Sequence, residues 1–509
     1  MKLNYKRTFL VGLAFFLIQL FWQCYDTIIP KIMTDKFGMP QTVSGIIMAL
    51  DNVFALFLLP LFGAISDKCR SKKGRRTPFI LIGTVAACIL FVSLSFADNM
   101  QLSNIDALNA EDGKATLSML YNEDLGKTSD DIKAEFTEEE FVAIEMYDEN
   151  GDLTENYTNY VTPARQAYAL KQTMNNPAPL ILFIVLLLGV LVSMSIFRSP
   201  AVALMPDVTP KPLRSKGNAI INLMGTIAGA LVLGLGIVFG TGKAENSLMS
   251  YTVFFSTVAG LMLIALIVFL ATVKEPKWAA DAMEESEKAG ILDKEKEEAA
   301  QESKRHLSKG ELRSLIFILL SVAFWYIGYN SVTSKYSVYA GEILNLDYNT
   351  TLLIATAIAA VAFVPVAFIS SKIGRKKMIL VGVALLATSF FAASFMGAGS
   401  PLWLMNIFFA MAGIGWAAIN VNSFPMVVEL ATGSDVGRYT GLYYSASMAA
   451  QIIAPVFSGV FIDINMRYLF PFGTIFVVFS FITMLFVKHG DSKPAATKEN
   501  IIDSMGDAD

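Results

Sequence analysis

Twelve apolar runs, each close to the length that crosses a bilayer, constrain this chain more than any other feature. A hydrocarbon core takes roughly 20 apolar residues per helix. The runs lie near 8–30, 42–66, 78–97, 179–205, 217–240 and 250–273, then near 313–334, 350–371, 377–396, 401–428, 438–462 and 467–487. Composition agrees: 54% of the 509 residues are hydrophobic and 17% are charged. Soluble globular chains carry about 25% charged residues. The expected fold class is an all-α polytopic membrane protein with twelve transmembrane helices.

The first run follows Met-Lys-Leu-Asn-Tyr-Lys-Arg, is too long for a signal-peptide core and has no small-residue cleavage site after it. It is therefore expected to be a retained span. Lys and Arg collect on one side of the spans, most clearly at Lys68–Arg76 and Lys372–Lys377. Such loops are expected to be cytoplasmic. Both termini should then be cytoplasmic in a multi-pass protein of the plasma or bacterial inner membrane. A net charge of −4 gives no reason to expect nucleic acid. Cys24, Cys69 and Cys88 show neither metal spacing nor a disulfide framework. His306 and His489 fall in charged segments outside the runs, which argues against a histidine catalytic site or proton relay. No cofactor or metal is expected, and the chain is expected to act as a monomer.

Spans 1–3 occupy 1–97 and spans 4–6 occupy 179–273. Between them, 98–178 is a strongly acidic outer insertion, with Glu138, Glu139, Glu140, Asp148 and Glu149. A solvated insertion is expected there, a small domain or a lid being the alternatives. Residues 274–312 mix Lys and Glu and read as a cytoplasmic linker. Spans 7–12 follow at 313–487, and a tail at 488–509.

The two halves repeat. Gly63-Ala-Ile-Ser-Asp67 leads to Gly74-Arg75-Arg76 after the second span, and Ile369-Ser-Ser-Lys-Ile-Gly374-Arg375-Lys376-Lys377 stands in the same place after the eighth. Asp207 precedes Lys216 after the fourth span by the spacing with which Glu429 precedes Arg438 after the tenth. Parallel repeats of six helices are typical of transporters that rock one half against the other.

The Gly63–Arg76 text resembles the major facilitator superfamily, whose loop after the second helix reads G-x-x-x-D-R/K with G-R-R/K following. Pro60-Leu-Phe-Gly-Ala-Ile-Ser-Asp-Lys-Cys69 and Gly74-Arg-Arg-Thr-Pro-Phe-Ile80 are similar to the sucrose:proton symporter branch, which includes plant sucrose carriers and the animal solute-carrier 45 group. Features are shared with the glycoside–pentoside–hexuronide:cation symporters. Phe424-Pro-Met and the stretch from Gly437 to Tyr443, with Gln451, resemble the tenth-to-eleventh helix region of the same branch. The likeness spans both halves but not the insertion. Two departures stand out. Anchored on Pro200 and Asp207, the sucrose-carrier arginine falls on Val202, while Arg198 takes the place of a family glutamine, one turn away on the same face. The two cation-binding acids of the melibiose-type carriers fall on Ala55 and Leu59, with Asp51 one turn further out. The expected coupling ion is therefore a proton rather than sodium.

Ionisable residues inside spans are costly and mark functional positions. Asp26, Asp51 and Arg198 qualify. Counted along the helices, Asp26 and Asp51 lie roughly 10 and 5 Å to the outer side of their span midpoints and Arg198 roughly 9 Å to the inner side. No close pair between Arg198 and Asp26 is expected from these depths. Gln19, Trp22, Gln23 and Asp26 share one helical face, as do Tyr326, Tyr329, Asn330 and Thr333. Amides and carboxylates bond sugar hydroxyls, and an indole stacks on a pyranose face. The resemblance places helices one, four, seven and ten around the cavity. The tenth offers Trp416 and Asn420, and the fifth Asn218 and Asn222. Packing between helices is the alternative use of such residues. Asp26 and Asp51 are the expected cation-coupling groups, with a structural hydrogen bond as the alternative for Asp51. Gly63, Asp67, Arg75, Arg76, Gly374 and Arg375 are expected to gate the cytoplasmic side.

These features together lead to the expectation of a secondary active importer of a small-molecule sugar, an oligosaccharide or glycoside, coupled to a cation. The alternatives are an exporter of amphipathic molecules on the same fold and a non-transporting sensor that uses 98–178. Gly225, Gly229, Gly234, Gly236 and Gly240 in the fifth span lack the proline of an antiporter signature. No nucleophile–base or metal constellation suggests an enzyme.

Overall fold

A computed structural model describes residues 3–491 except 111, 150, 152, 211–212, 289–307 and 431–435. The middle of the expected linker, the tail beyond 491, and the side chains of Lys216, Ser371 and Arg438 lie outside the described residues.

The helices, in chain order, are α1 (Tyr5–Lys31), α2 (Gln41–Asp67), α3 (Thr77–Asn104), α4 (Gly113–Asn122), α5 (Lys127–Glu135), α6 (Glu138–Val142), α7 (Thr162–Asn175), α8 (Ala178–Val208), α9 (Arg214–Phe239), α10 (Thr252–Thr272), α11 (Glu275–Lys288), α12 (Lys309–Thr333), α13 (Tyr336–Glu342), α14 (Tyr348–Ile373), α15 (Arg375–Ala393), α16 (Leu402–Val428), α17 (Val436–Ile464) and α18 (Leu469–Leu485). Twelve of them are long and apolar enough to cross a membrane: α1–α3, α8–α10, α12 and α14–α18. The ends are set locally. Asn4 caps α1, Ser308 and Glu311 form a capping box on α12, and Gly240 closes α9 in the left-handed region at φ 67°.

An even number of spans returns the chain to its starting face. Arg7 pairs with Asp281 of α11 at 2.8 Å, and Ser314 bonds His489 at 3.0 Å, both on this basal face. Within the halves α3 packs on α8, α1 on α9, α15 on α16 and α12 on α18. The halves meet through α2 against α17 and α9 against α14.

The 98–178 insertion is a folded helical cap, not merely a solvated segment. Ile105, Leu120, Ile132, Phe141, Val161 and Tyr168 form its own apolar cluster. The third span also runs to Asn104, past the expected end at 97. Its added turns are polar, but the cap and loops pair them. Asp98 and Lys36, both fully buried, meet at 2.5 Å, and Gln101 donates to Thr173 of α7 at 2.9 Å. A paired polar residue does not end a helix.

The cap also reaches the second half, where Gln166 of α7 donates to Glu342 of α13 at 2.6 Å. Burial pushes the Glu342 carboxyl up to about 8, and Asp35 adds to the shift against the Gln166 bond and Lys31. Arg165 also faces this cleft. An acid whose docked pKa is raised favours the docked state while protonated, and loses that contribution as pH rises from the free value of 4.5 through about 8. Docking of the cap on the second half should therefore weaken over that interval. A spin-label distance between Lys133→Cys and Leu402→Cys should show the trend, and Glu342→Gln should flatten it. The comparison with Glu342→Gln matters because burial pushes Lys335, also at the interface, the other way, down to about 7. An equal pH trend in both proteins would refute the assignment.

Candidate functional site

A cavity of about 710 Å³ lies between the halves. That is within the range of small-molecule sites. One wall is polar. Gln19 and Gln23 of α1 face Asn222 and Thr226 of α9. The helices approach closely because α9 carries glycine at the contact: a Cβ on Gly229 would stand 3.2 Å from Gln23 Oε1. The other wall comes from the second half. Tyr329 of α12 stacks with Trp416 of α16 at 6.3 Å, and Phe363 of α14 meets Trp416 edge-on at 5.6 Å. Tyr326 and Asn420 complete this side, and Leu352, Ala355 and Ala359 make it largely apolar. All the lining residues are uncharged.

Seven of the residues expected to bind substrate thus share one cavity: Gln19, Gln23, Asn222, Tyr326, Tyr329, Trp416 and Asn420. Trp22, Asp26, Arg198 and Asn330 are not in its wall. Asn330 donates its amide to the Tyr326 carbonyl at 2.9 Å, a bond within its own helix. The walls come from helices one, five, seven, eight and ten, with a contribution from nine, so the expected fourth helix is replaced. The fourth span, α8, packs on α3. Thr226, Phe363 and the α14 alanines lie in the wall although they carry no charge or amide that would single them out in the sequence.

Asp26, Asp51 and Arg198 form a second group beside the cavity. Asp26 feels the charges of both Asp51 and Arg198, and Arg198 also acts on Asp51. The depths counted along single helices gave no close pair between Arg198 and Asp26, and the influence between them is one of charge acting through space. Asp26, in the last third of α1, is solvent-accessible. Asn52 donates to Asp51 at 2.7 Å. The Arg198 guanidinium lies 5.2 Å from the centre of the Trp22 ring. Cation–π contact therefore occupies the indole that was expected to stack on a sugar. Tyr329 joins the two groups, since it lines the cavity and feels the Asp26 charge.

The loop motifs build paired networks on the basal face. Gly63 lets α2 approach α8, where a Cβ would come 2.9 Å from Ser199 Oγ. Arg76, buried, bonds Asp207 at 2.7 Å and Asp67 at 2.5 Å, and also donates to Ser66. Arg75 reaches Asp207 at 2.6 Å. Glu275 accepts from the backbone N–H groups of Arg75, Arg76 and Thr77, capping α3 from the segment after the sixth span. In the second half Arg375 pairs with Glu429 at 2.9 Å, and Asp491 accepts from the Lys376 N–H at 3.1 Å beside Gly374. These contacts lie within each half rather than across the two. The repeated acids Asp207 and Glu429 serve the glycine–arginine loops, a pairing their matched spacing in both repeats could have suggested. Asp207→Ala should cost about 2–3 kcal/mol, because Arg76 then stays buried with fewer acceptors. Thermal unfolding in detergent checks this, and an unchanged midpoint would refute it.

A protein with twelve membrane-crossing helices in two halves around an uncharged, amide-lined cavity has the architecture of a transporter rather than an enzyme. The Major Facilitator Superfamily model matches residues 167–368 and 336–504, and the MFS/sugar transport protein model matches 10–111. The chain belongs to the Major Facilitator Superfamily. Local similarity reaches the sucrose transport protein SUT3 of Oryza sativa subsp. indica, 33% identical over 78 residues, which is 15% of each chain. It also reaches the sucrose transport protein SUC4 of Arabidopsis thaliana, 39% identical over 62 residues and 12% of each chain. The proton-associated sugar transporter A of Homo sapiens is 35% identical over 54 residues, 11% of this chain and 7% of that one. The matches thus span only a small part of these relatives' length. Among solved structures, the inward-open xylose transporter XylE of E. coli aligns over 96% of this chain and 98% of its own with a TM-score of 0.57 at 15% identity. A bacterial homologue of the human lysosomal transporter Spinster aligns over 96% and 97%, also at 0.57, with 13% identity. At such identities the likeness is one of fold.

Proposed function

We propose that this protein is a secondary active transporter that imports a neutral sugar, an oligosaccharide or glycoside, together with protons by alternating access. One observation carries the reading: an uncharged wall of amides and aromatic rings adjoins, through Tyr329, a charged group of two acids and one base. Gln19, Gln23, Asn222 and Asn420 supply the paired donors and acceptors that hydroxyls need. Trp416 and Tyr329 offer an aromatic face. The match to a sugar transport family model at 10–111 and the local similarity to sucrose transport proteins support the same substrate class.

Asp26 and Asp51 together hold two negative charges against the one positive charge of Arg198. One bound proton makes the group neutral, and a neutral group crosses between solvent-facing and occluded states at least cost. Proton binding on Asp26 or Asp51 is thereby tied to closure around the sugar. The basic loops support a reading in which the basal face and both termini are cytoplasmic. In that reading the cap face looks outward.

The apolar second-half wall of Leu352, Ala355, Ala359 and Phe363 favours an amphipathic cargo as the second reading. Uptake into proteoliposomes under imposed proton or sodium gradients, screened over oligosaccharides, glycosides and amphipathic cations, separates the readings. Proton-driven sugar uptake is expected. Sodium-driven uptake would overturn the coupling, and movement of amphipaths alone would overturn the substrate class.

A further inference from the structure

Helix α2 begins at Gln41 behind Pro40, and Pro40 gives it no side-chain cap. The first N–H groups of a helix need acceptors. Here they come from the other half of the molecule. Asp463, at the end of α17, accepts from the Gln41 N–H at 2.5 Å and the Thr42 N–H at 2.8 Å, and from the Thr42 hydroxyl at 2.5 Å. The carbonyl of the same Gln41 accepts from the ammonium of Lys335 at 2.7 Å. Lys335 is fully buried between α12 and α13. One residue of the first half is thus held at both its N–H and its C=O by an acid and a base of the second.

We infer that Asp463 and Lys335 form a two-point clasp that caps α2 from the opposite half and holds the cap face closed. The clasp sits where opening must occur, since α2 against α17 is a main contact between the halves. When they separate, α2 loses its cap and Gln41 its buried donor. Asp463 remains accessible to solvent, so water can replace its partners on opening. A link to the cavity is built in, because Thr333 and Tyr336, both in the cavity wall, flank Lys335 in the chain. A cargo that shifts these two side chains also shifts the clasp. The role rests on the transporter reading for what opening accomplishes, but its test uses no substrate, so either can fail without the other.

The test is a distance measurement across the cap face in the full chain. Spin labels go on Ser103→Cys at the end of α3 and Leu402→Cys at the start of α16, with Cys69→Ser in the background; Cys24 and Cys88 are buried. The parent should show mainly the short, closed distance. Asp463→Ala should lower the closed-to-open ratio about fivefold, the effect of losing a helix cap. Asp463→Asn, which keeps a capping oxygen, should stay within about twofold. Lys335→Met should lower the ratio by itself, so either half of the clasp can be read if one variant fails to give monodisperse protein. An unchanged ratio in Asp463→Ala and Lys335→Met would overturn the clasp. Equal losses in Asp463→Ala and Asp463→Asn would overturn the capping role of the carboxylate.

Discussion

Asp26→Asn or Asp51→Asn is expected to abolish accumulation of sugar against its gradient while leaving counterflow within about threefold of the parent. The expectation follows from charge arithmetic. The native group carries two acids and Arg198, and these act on one another electrostatically. A single Asp→Asn change gives the same net charge as one bound proton. The group is then permanently in its neutral form, so exchange of sugar across the membrane continues but no proton is carried. Asparagine keeps the shape and one acceptor, and a loss of about 0.6 kcal/mol of hydrogen bonding, near the low end for one bond, sets the threefold bound. The double variant differs. It leaves Arg198 against two neutral amides, an uncompensated positive charge inside the bundle, and counterflow should fall as well. Proteoliposomes loaded with sugar measure counterflow, and an imposed proton gradient measures accumulation. If both single variants still accumulate sugar, neither acid carries the proton.

The spans were legible because hydropathy is a local sum, and each helix carries its own signal. Side-chain stripes were legible in part for the same reason. Gln19 and Gln23, or Tyr326 and Tyr329, share a face by spacing alone, and both pairs reach the cavity. What a stripe does not contain is its partner. Trp22 points inward as its spacing requires, yet its ring is taken by Arg198 from another helix. Position along one helix likewise does not show that Asp26 and Arg198, on different helices, act on each other by charge. The cap was hidden for a different reason. Leu120, Ile132, Phe141 and Tyr168 are spread among acidic residues on short helices, and only their assembly makes a core. The bonds from Asp463 to Gln41 join positions 422 residues apart, where no spacing rule applies.

The closeness of α2 to α17 sets the second large effect. Gly45 faces α17 so tightly that a Cβ there would stand 2.6 Å from the Pro455 carbonyl carbon and 3.1 Å from the Val456 Cα, and nearer still to the Pro455 oxygen. These neighbours are backbone, which has no rotamer to give. Gly459 makes the reciprocal approach, with a Cβ meeting the Gln41 carbonyl carbon at 2.7 Å. Gly45→Val therefore cannot fit without pushing the two helices apart on the face where the halves are clasped. Overpacking of this kind costs about 1–3 kcal/mol, and here the cost falls on the closed state alone. The closed-to-open ratio of the cap face should drop about 30-fold at the middle of that range. Transport should fall with it, because a carrier that cannot shut its cap face cannot complete a cycle. Gly260→Ala, at a position with nothing within 4 Å of the added carbon, is the matched control and should change neither quantity. The spin-label pair on Ser103→Cys and Leu402→Cys reports the ratio, and sugar uptake reports the cycle. A Gly45→Val protein that closes and transports as the parent does would mean that α2 and α17 part and meet elsewhere than at this contact.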